Sequence, residues 1–155
     1  MQIQLVSIGH RMPDWITAGY GEFAKRMPRE CELKLREIVP GNRGKNADLA
    51  RAVEDEGKRM LEAIPATHHV VALDLSGEEW STPQLSHVLA RWLGEGQNIS
   101  LLVGGPEGLS SACLERARQR WRLSALTLPH PLVRVVVAEQ LYRAWTILQN
   151  HPYHR

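Results

Sequence analysis

The sequence predicts a single α/β domain with a largely parallel sheet and helices on both faces. Two observations carry this. Short apolar segments alternate along the chain with amphipathic stretches of ten or more residues, the pattern of strands joined by crossover helices. The 155 residues, 43% hydrophobic and 23% charged, have the composition of one globular domain, which excludes disorder, collagen and coiled coil. No repeat, low-complexity tract or linker divides residues 1–155.

The elements follow in order. Residues 2–8 alternate apolar and polar and predict a strand. Residues 14–27 have helical spacing, with Trp15, Ala18, Phe23 and Met27 inward and Asp14 as cap. Residues 31–39 (CELKLREIV) alternate again and predict a second strand. Residues 40–48 (PGNRGKNAD) form a basic, glycine-bearing loop. Asn46 or Asp48 then caps a helix to about residue 64, with Leu49, Ala52, Val53, Met60 and Leu61 inward. Residues 69–75 predict a strand. Ser81 and Pro83 open a helix to about residue 93, a capping residue followed by an early proline. Residues 98–103 predict a strand that runs into GGPEG at 104–108. Ser110 or Ser111 starts a helix to about residue 120. Residues 123–128 are a short apolar segment bounded by PHP, and the last helix covers about 133–149.

The net charge of +2 hides a segregation. Residues 1–48 carry +2, residues 49–115 carry −6 and residues 116–155 carry +6. A basic end on a nearly neutral chain points to an anionic partner, nucleic acid first. No apolar run approaches the roughly 18 residues of a membrane span. The alternation over residues 1–8 reads as a strand, not a targeting segment, so a cytoplasmic protein is expected. Cys31 and Cys113 lack metal-ligand spacing and are expected to be buried thiols.

Three constellations carry chemistry. In an open α/β sheet, ligands bind outside the carboxyl ends of the strands. The Gly104–Gly105 pair stands at such an end, where the missing Cβ lets a ligand approach the backbone. An ordinary tight turn is the competing reading. GGPEG is not a dinucleotide fingerprint, and residues 39–46 do not make a phosphate loop, because Val39 and Asn46 stand where glycine and a hydroxyl residue are needed. The second constellation is the proline-stiffened LSALTLPHPLVR at 123–134. Its backbone polar groups in an apolar wall suit an adenine, with a buried strand and turn as the alternative. The third is the last helix and tail. The helix is apolar well beyond one face, which predicts a homodimer, and Glu139 and Arg143 stand at ion-pair spacing. The tail NHPYHR offers a stacking ring, a cation and two imidazoles.

GGPEGLS, LSALTLPHPLVRVVVAEQLYRAW and NHPYHR, with GNRGKNAD and DLSGEEWSTPQL upstream, closely resemble the ribosomal large-subunit methyltransferase H family. These are small bacterial members of the SPOUT class of RNA methyltransferases. The likeness spans the whole chain. It implies a sheet whose carboxyl-terminal part is threaded as a deep trefoil knot, and an obligate homodimer. It also implies methylation of N3 of a pseudouridine in 23S rRNA, on assembled ribosomes, with S-adenosylmethionine as co-substrate and no metal. Carried over, the cofactor loops fall at Leu73, at Gly104, and at Leu123, Ser124, Ala125, Leu126, Thr127 and Leu128. The catalytic candidates are His154 as base, Arg155 or Arg143 on the uracil oxygens, and Tyr153 as a stacking ring. A non-catalytic ribosome-associated module and a nucleotide- or flavin-dependent enzyme are the other readings of the residues.

Overall fold

The computed structural model describes residues 1–155. Its strands are β1 (Gln2–Ile8), β2 (Glu32–Ile38), β3 (His69–Glu79), β4 (Ile99–Val103) and β5 (Gln119–Arg122). They form one sheet in the order β2-β1-β4-β3-β5, and every neighbouring pair is parallel. All five carboxyl ends therefore point to one edge. The crossovers carry helices α1 (Asp14–Ala24), α2 (Leu49–Glu62), α3 (Thr82–Glu95) and α4 (Ser111–Arg116), and α5 (His130–Leu148) follows the last strand.

Helices cover both faces, as the composition of the strands requires. Ile3, Leu5, Leu33, Val71, Leu101 and Val103 face a core shared with α1, α3 and α5. Val6, Ile8, Ile38, Val70 and Leu102 face a smaller core closed by Met60 of α2 and Cys113 of α4. A strand buried on both sides can be apolar at successive positions, and β4 is buried at all five. Cys31 and Cys113 are free and fully buried, and burial pushes the Cys31 thiol up to about 12.

Side-chain caps set several helix starts. Asp48 accepts from the Arg51 N–H at 3.2 Å, Ser110 accepts from Cys113, and Ser81 and Gln84 form a reciprocal capping box. Other sequence expectations need correction. α1 ends at Ala24, and Asp14 is its first residue, not its cap. Its buried positions are Ile16 and Tyr20, while Trp15 is 64% exposed. In α2 the inward residues are Ala52, Glu56, Gly57 and Met60, and Leu49 is exposed. The helix expected to reach residue 120 stops at Arg116, and residues 119–122 form β5. Buried Trp121 alternates with exposed Arg120, a period of two that marks a strand.

β3 is longer than expected because it breaks and resumes. Trp121 lies opposite Leu73 and again opposite Glu78, so the four residues between leave the ladder. Asp74 shapes that excursion by accepting from the Ser76 N–H at 3.0 Å. Gly77 closes it: a Cβ there would stand 2.5 Å from the carbonyl carbon of Arg120 and 2.6 Å from its oxygen. Neither atom can yield without breaking the β3–β5 pairing. Gly77→Ala is therefore expected to cost about 3 kcal/mol, the upper end for overpacking. Urea denaturation of wild type and variant measures the loss, and an unchanged midpoint would show that the segment does not hold β5.

Candidate functional site

A cavity of about 370 Å³ opens at the carboxyl ends of β3, β4 and β5. Residues 73–75, 103–108, 121–124 and 126–128 line it, with His130 and Val133 at the start of α5. Its size falls within the range of small-molecule sites. Three chain features make it. The excursion after Leu73 carries Asp74 and Leu75 to one wall, GGPEG turns beneath it, and residues 123–128 run past without regular structure.

Seven of the eight cofactor-loop candidates line this cavity: Leu73, Gly104, Leu123, Ser124, Leu126, Thr127 and Leu128. Ala125 does not. The 123–128 segment is neither a strand nor a greasy wall throughout. Leu126 is 73% exposed, and the Ser124 hydroxyl accepts from the Leu126 N–H at 2.9 Å in a local turn. The two prolines at 129 and 131 then start α5.

Gly104 has a different reason to be glycine from the one its sequence position suggests. A Cβ there would meet backbone of its own loop, 2.5 Å from the Gly108 carbonyl carbon and 2.8 Å from the Leu109 nitrogen. Gly105 and Gly108 close the same loop through a bridge, with Gly108 at φ +85°. The glycines let the loop fold on itself, and a larger residue would disturb its shape before touching a ligand.

Electrostatics at the cavity involve residues that the sequence patterns alone did not mark. Arg43, from the loop after β2, sits between two carboxylates. It bonds Glu107 of GGPEG at 2.7 and 2.9 Å and grips Glu56 of α2, one of its contacts there being 3.0 Å. Glu56 is 2% exposed and also accepts from the Gly41 N–H at 2.8 Å. Bonding to Arg43 holds Glu107 below the usual carboxylate range. Glu107 is thus a paired charge, not the free one its place in the loop suggests. Burial lowers the His130 pKa, and the Arg134 and Arg43 guanidiniums lower it further. His130 is therefore neutral at pH 7. Two buried polar atoms of lining residues, Trp121 Nε1 and Arg122 Nε, have no hydrogen-bond partner.

The catalytic candidates lie elsewhere. Arg143 is on α5, and Tyr153, His154 and Arg155 follow its end. The nineteen residues of α5 extend about 28 Å, and the cavity is at the opposite end. The tail is not frayed. It makes a single 3-10 turn, Pro152–His154, whose start is capped by His151. Tyr153 donates to Glu139 at 3.1 Å, its ring is 4.7 Å from that of Tyr142, and the Arg143 guanidinium lies 5.0 Å over it. Glu139 and Arg143 form the expected ion pair at 2.6 Å. His154 Nδ1 is buried without a partner. The structure thus brings Arg143, Tyr153 and the tail together, but not to the cavity of their own chain. No group of three or more His, Cys, Asp or Glu side chains is placed to hold a metal ion, and no helix is long and apolar enough to cross a membrane.

Comparison with known proteins gives consistent similarities. Residues 1–154 match the family described as "Predicted SPOUT methyltransferase". The chain is 61% identical over 155 residues, the full length of both proteins, to the Ribosomal RNA large subunit methyltransferase H of Methylococcus capsulatus. Among solved structures it resembles a probable methyltransferase of Bordetella pertussis, with a TM-score of 0.57 and 16% identity over 92% of this chain and 95% of that one. It also resembles the Legionella pneumophila protein Lpg2936 in complex with the bound cofactor SAM, with a TM-score of 0.51 and 7% identity over 94% of this chain and 66% of that one. At these identities the solved structures speak for the fold alone.

The Arg43 clamp makes a direct prediction. Arg43→Ala would leave Glu56 buried without its counter-charge and is expected to cost about 3–5 kcal/mol. Glu107→Gln, at a more exposed partner, is expected to cost about 1 kcal/mol or less. Denaturation of both variants tests the ranking, and equal losses would refute it.

Proposed function

This chain belongs to the SPOUT methyltransferase family, and from that premise we propose that it methylates the 23S rRNA of the large ribosomal subunit. The 61% identity to the Methylococcus protein over both full lengths carries this reading. In its finer form, the target is N3 of a pseudouridine. The co-substrate is S-adenosylmethionine, and the enzyme works in the cytoplasm as a homodimer on assembled ribosomes.

The residues at the cavity fit S-adenosylmethionine. When bound, it supplies a methyl group on a positively charged sulfur. Asp74 gives the lining a negative charge, and His130 adds no positive one. The unpartnered Trp121 Nε1 is a buried donor that a polar group can satisfy. The apolar side chains of Leu73, Val103, Leu123 and Leu128 exclude water, which favours the meeting of a cationic donor with an anionic acceptor. The trefoil knot is part of the same reading. Its support is the family likeness over residues 1–154.

Loss of the N3 proton makes the target nitrogen nucleophilic. We assign that proton to His154, the uracil oxygens to Arg155 and Arg143, and base stacking to Tyr153. The tail's folded turn supports these roles, because a positioned element orients a base as a frayed one cannot. Its distance from the cavity of its own chain supports a second subunit as the supplier of the tail. The half-buried apolar side chains of α5, among them Leu132, Val136 and Ile147, offer the surface for that subunit.

Two measurements test the proposal. Deletion of residues 153–155 is expected to leave S-adenosylmethionine affinity within a few-fold and to cut single-turnover methylation of unmodified ribosomes by about 10²–10⁴-fold. Unchanged methylation would remove the tail from catalysis, and dissociation in sedimentation would make it a dimer clamp instead. The second measurement is pH. Protonated His130 would add a cation to the wall of a site proposed for a cationic ligand, so affinity is expected to fall as pH drops below about 6.5, the usual histidine range, through the lowered pKa. Calorimetry on His130→Asn should show a flatter profile, and an unaltered one would acquit His130.

A further inference from the structure

The cavity uses only the β3, β4 and β5 side of the carboxyl edge. The loops after β1 and β2 leave the same edge side by side, since the Gly9 N–H donates to the Ile38 carbonyl at 2.9 Å. The first loop borders the cavity directly: a Cβ on Gly9 would lie 3.7 Å from His130 Nε2. It is also held in an uncommon shape, with Gly9 at φ +118° and Arg11 at φ +52°. A non-glycine residue in that region costs free energy, and such costs gather at functional sites.

This shape presents an unusual surface. Trp15, at the start of α1, is 64% exposed, and Val39 is 59% exposed. Arg11 and Lys45 are exposed and make no side-chain hydrogen bond or ion pair. The acids around them are mostly engaged elsewhere. Glu37 pairs with Arg134, Glu107 and Glu56 with Arg43, and Asp48 caps α2. Asp14 is the remaining acid near the ring. The two loops thus carry a solvated indole and two free cations, on the sheet edge that holds the proposed methyl-transfer cavity.

We propose that these two loops form the docking platform for the rRNA strand that flanks the target nucleotide. Trp15 stacks on an unpaired base, and Arg11 and Lys45 contact phosphates. The proposal rests on the rRNA methyltransferase reading and names the surface that reading lacks. Single-stranded RNA fits because stacking on an aromatic face needs a splayed base, and phosphates need unpaired cations. A second copy of the chain fits less well. A two-fold contact centred here would set Arg11 and Lys45 against their own copies.

The test compares Trp15→Ala, the double variant Arg11→Gln with Lys45→Gln, and wild type. The ligand is ribosomes from cells lacking the modification. Trp15→Ala is expected to weaken particle binding by about 5- to 100-fold, the range of one base-stacking contact. KM for ribosomes should rise with kcat little changed. The double variant should flatten the slope of log affinity against log salt by about 1.4, as for two lost phosphate contacts to a single strand. S-adenosylmethionine affinity and sedimented mass should match wild type in both. Unchanged particle binding and salt slope would overturn the proposal. So would a smaller sedimenting species for Trp15→Ala, which would assign the patch to a second copy. Wild type that methylates ribosomes but binds them with no salt dependence would also overturn it. Wild type that transfers no methyl group to ribosomes would overturn the rRNA reading and the proposal together.

Discussion

Trp121 meets β3 twice, opposite Leu73 and opposite Glu78, and residues 74–77 are pushed out of the ladder between. A parallel sheet whose strands all stayed in register would present a closed edge there. Of the displaced residues, Asp74 and Leu75 instead form a cavity wall with GGPEG, and the segment after β5 completes the enclosure. Gly77 fixes where the ladder resumes, because only a residue without Cβ can lie against the Arg120 carbonyl. Trp121 itself is 2% exposed and stacks on Trp80 at 5.1 Å, so the point where pairing restarts is anchored by aromatic packing. The cavity is a product of strand register more than of any ligand-specific side chain.

Charge is arranged around that geometry in a second layer. Arg43 belongs to a loop distant in sequence, yet it ties the buried Glu56 of α2 to Glu107 of the cavity loop. The same guanidinium, with Arg134, helps keep His130 neutral. One arginine therefore holds the loop in place and suppresses a positive charge on its neighbour. The basic residues of PGNRGKNAD divide accordingly: Arg43 is spent inside the protein, and Lys45 remains for solvent or a partner.

Much of this was legible in the sequence. Period-two alternation located β1 and β2, capping residues located the starts of α2, α3 and α4, and glycine at a strand end located the cavity loop. The failures have physical causes. α1 reads ambiguously because Trp15 and Ala18 are apolar yet solvent-facing, while Tyr20, a polar-tipped residue, is buried. β5 was hidden because arginines suit helices as well as an outer strand, and the indole of Trp121 alone carries its burial. The interrupted ladder has no local signature, since it arises from where β5 comes back to β3. Arg43, Glu56 and His130 escaped for a similar reason: a contact across 64 residues, such as Arg43 with Glu107, depends on the fold and leaves no spacing to read. The tail's residues were noticed by their chemistry, but their placement far from the cavity follows only from the length of α5.

The sheet ends on two strands, β2 and β5. β2 is open on one side and carries Glu32, Lys34 and Arg36 exposed, while β5 is four residues long and carries exposed Arg120 beside Arg118. Bare strand edges invite other chains to add on and grow into insoluble stacks. Short length and repeated charge make such growth costly, since each incoming strand would have to strip water from those groups. Crowded together at high concentration, copies of this protein are thus steered away from joining edge to edge, which leaves the helical faces for association.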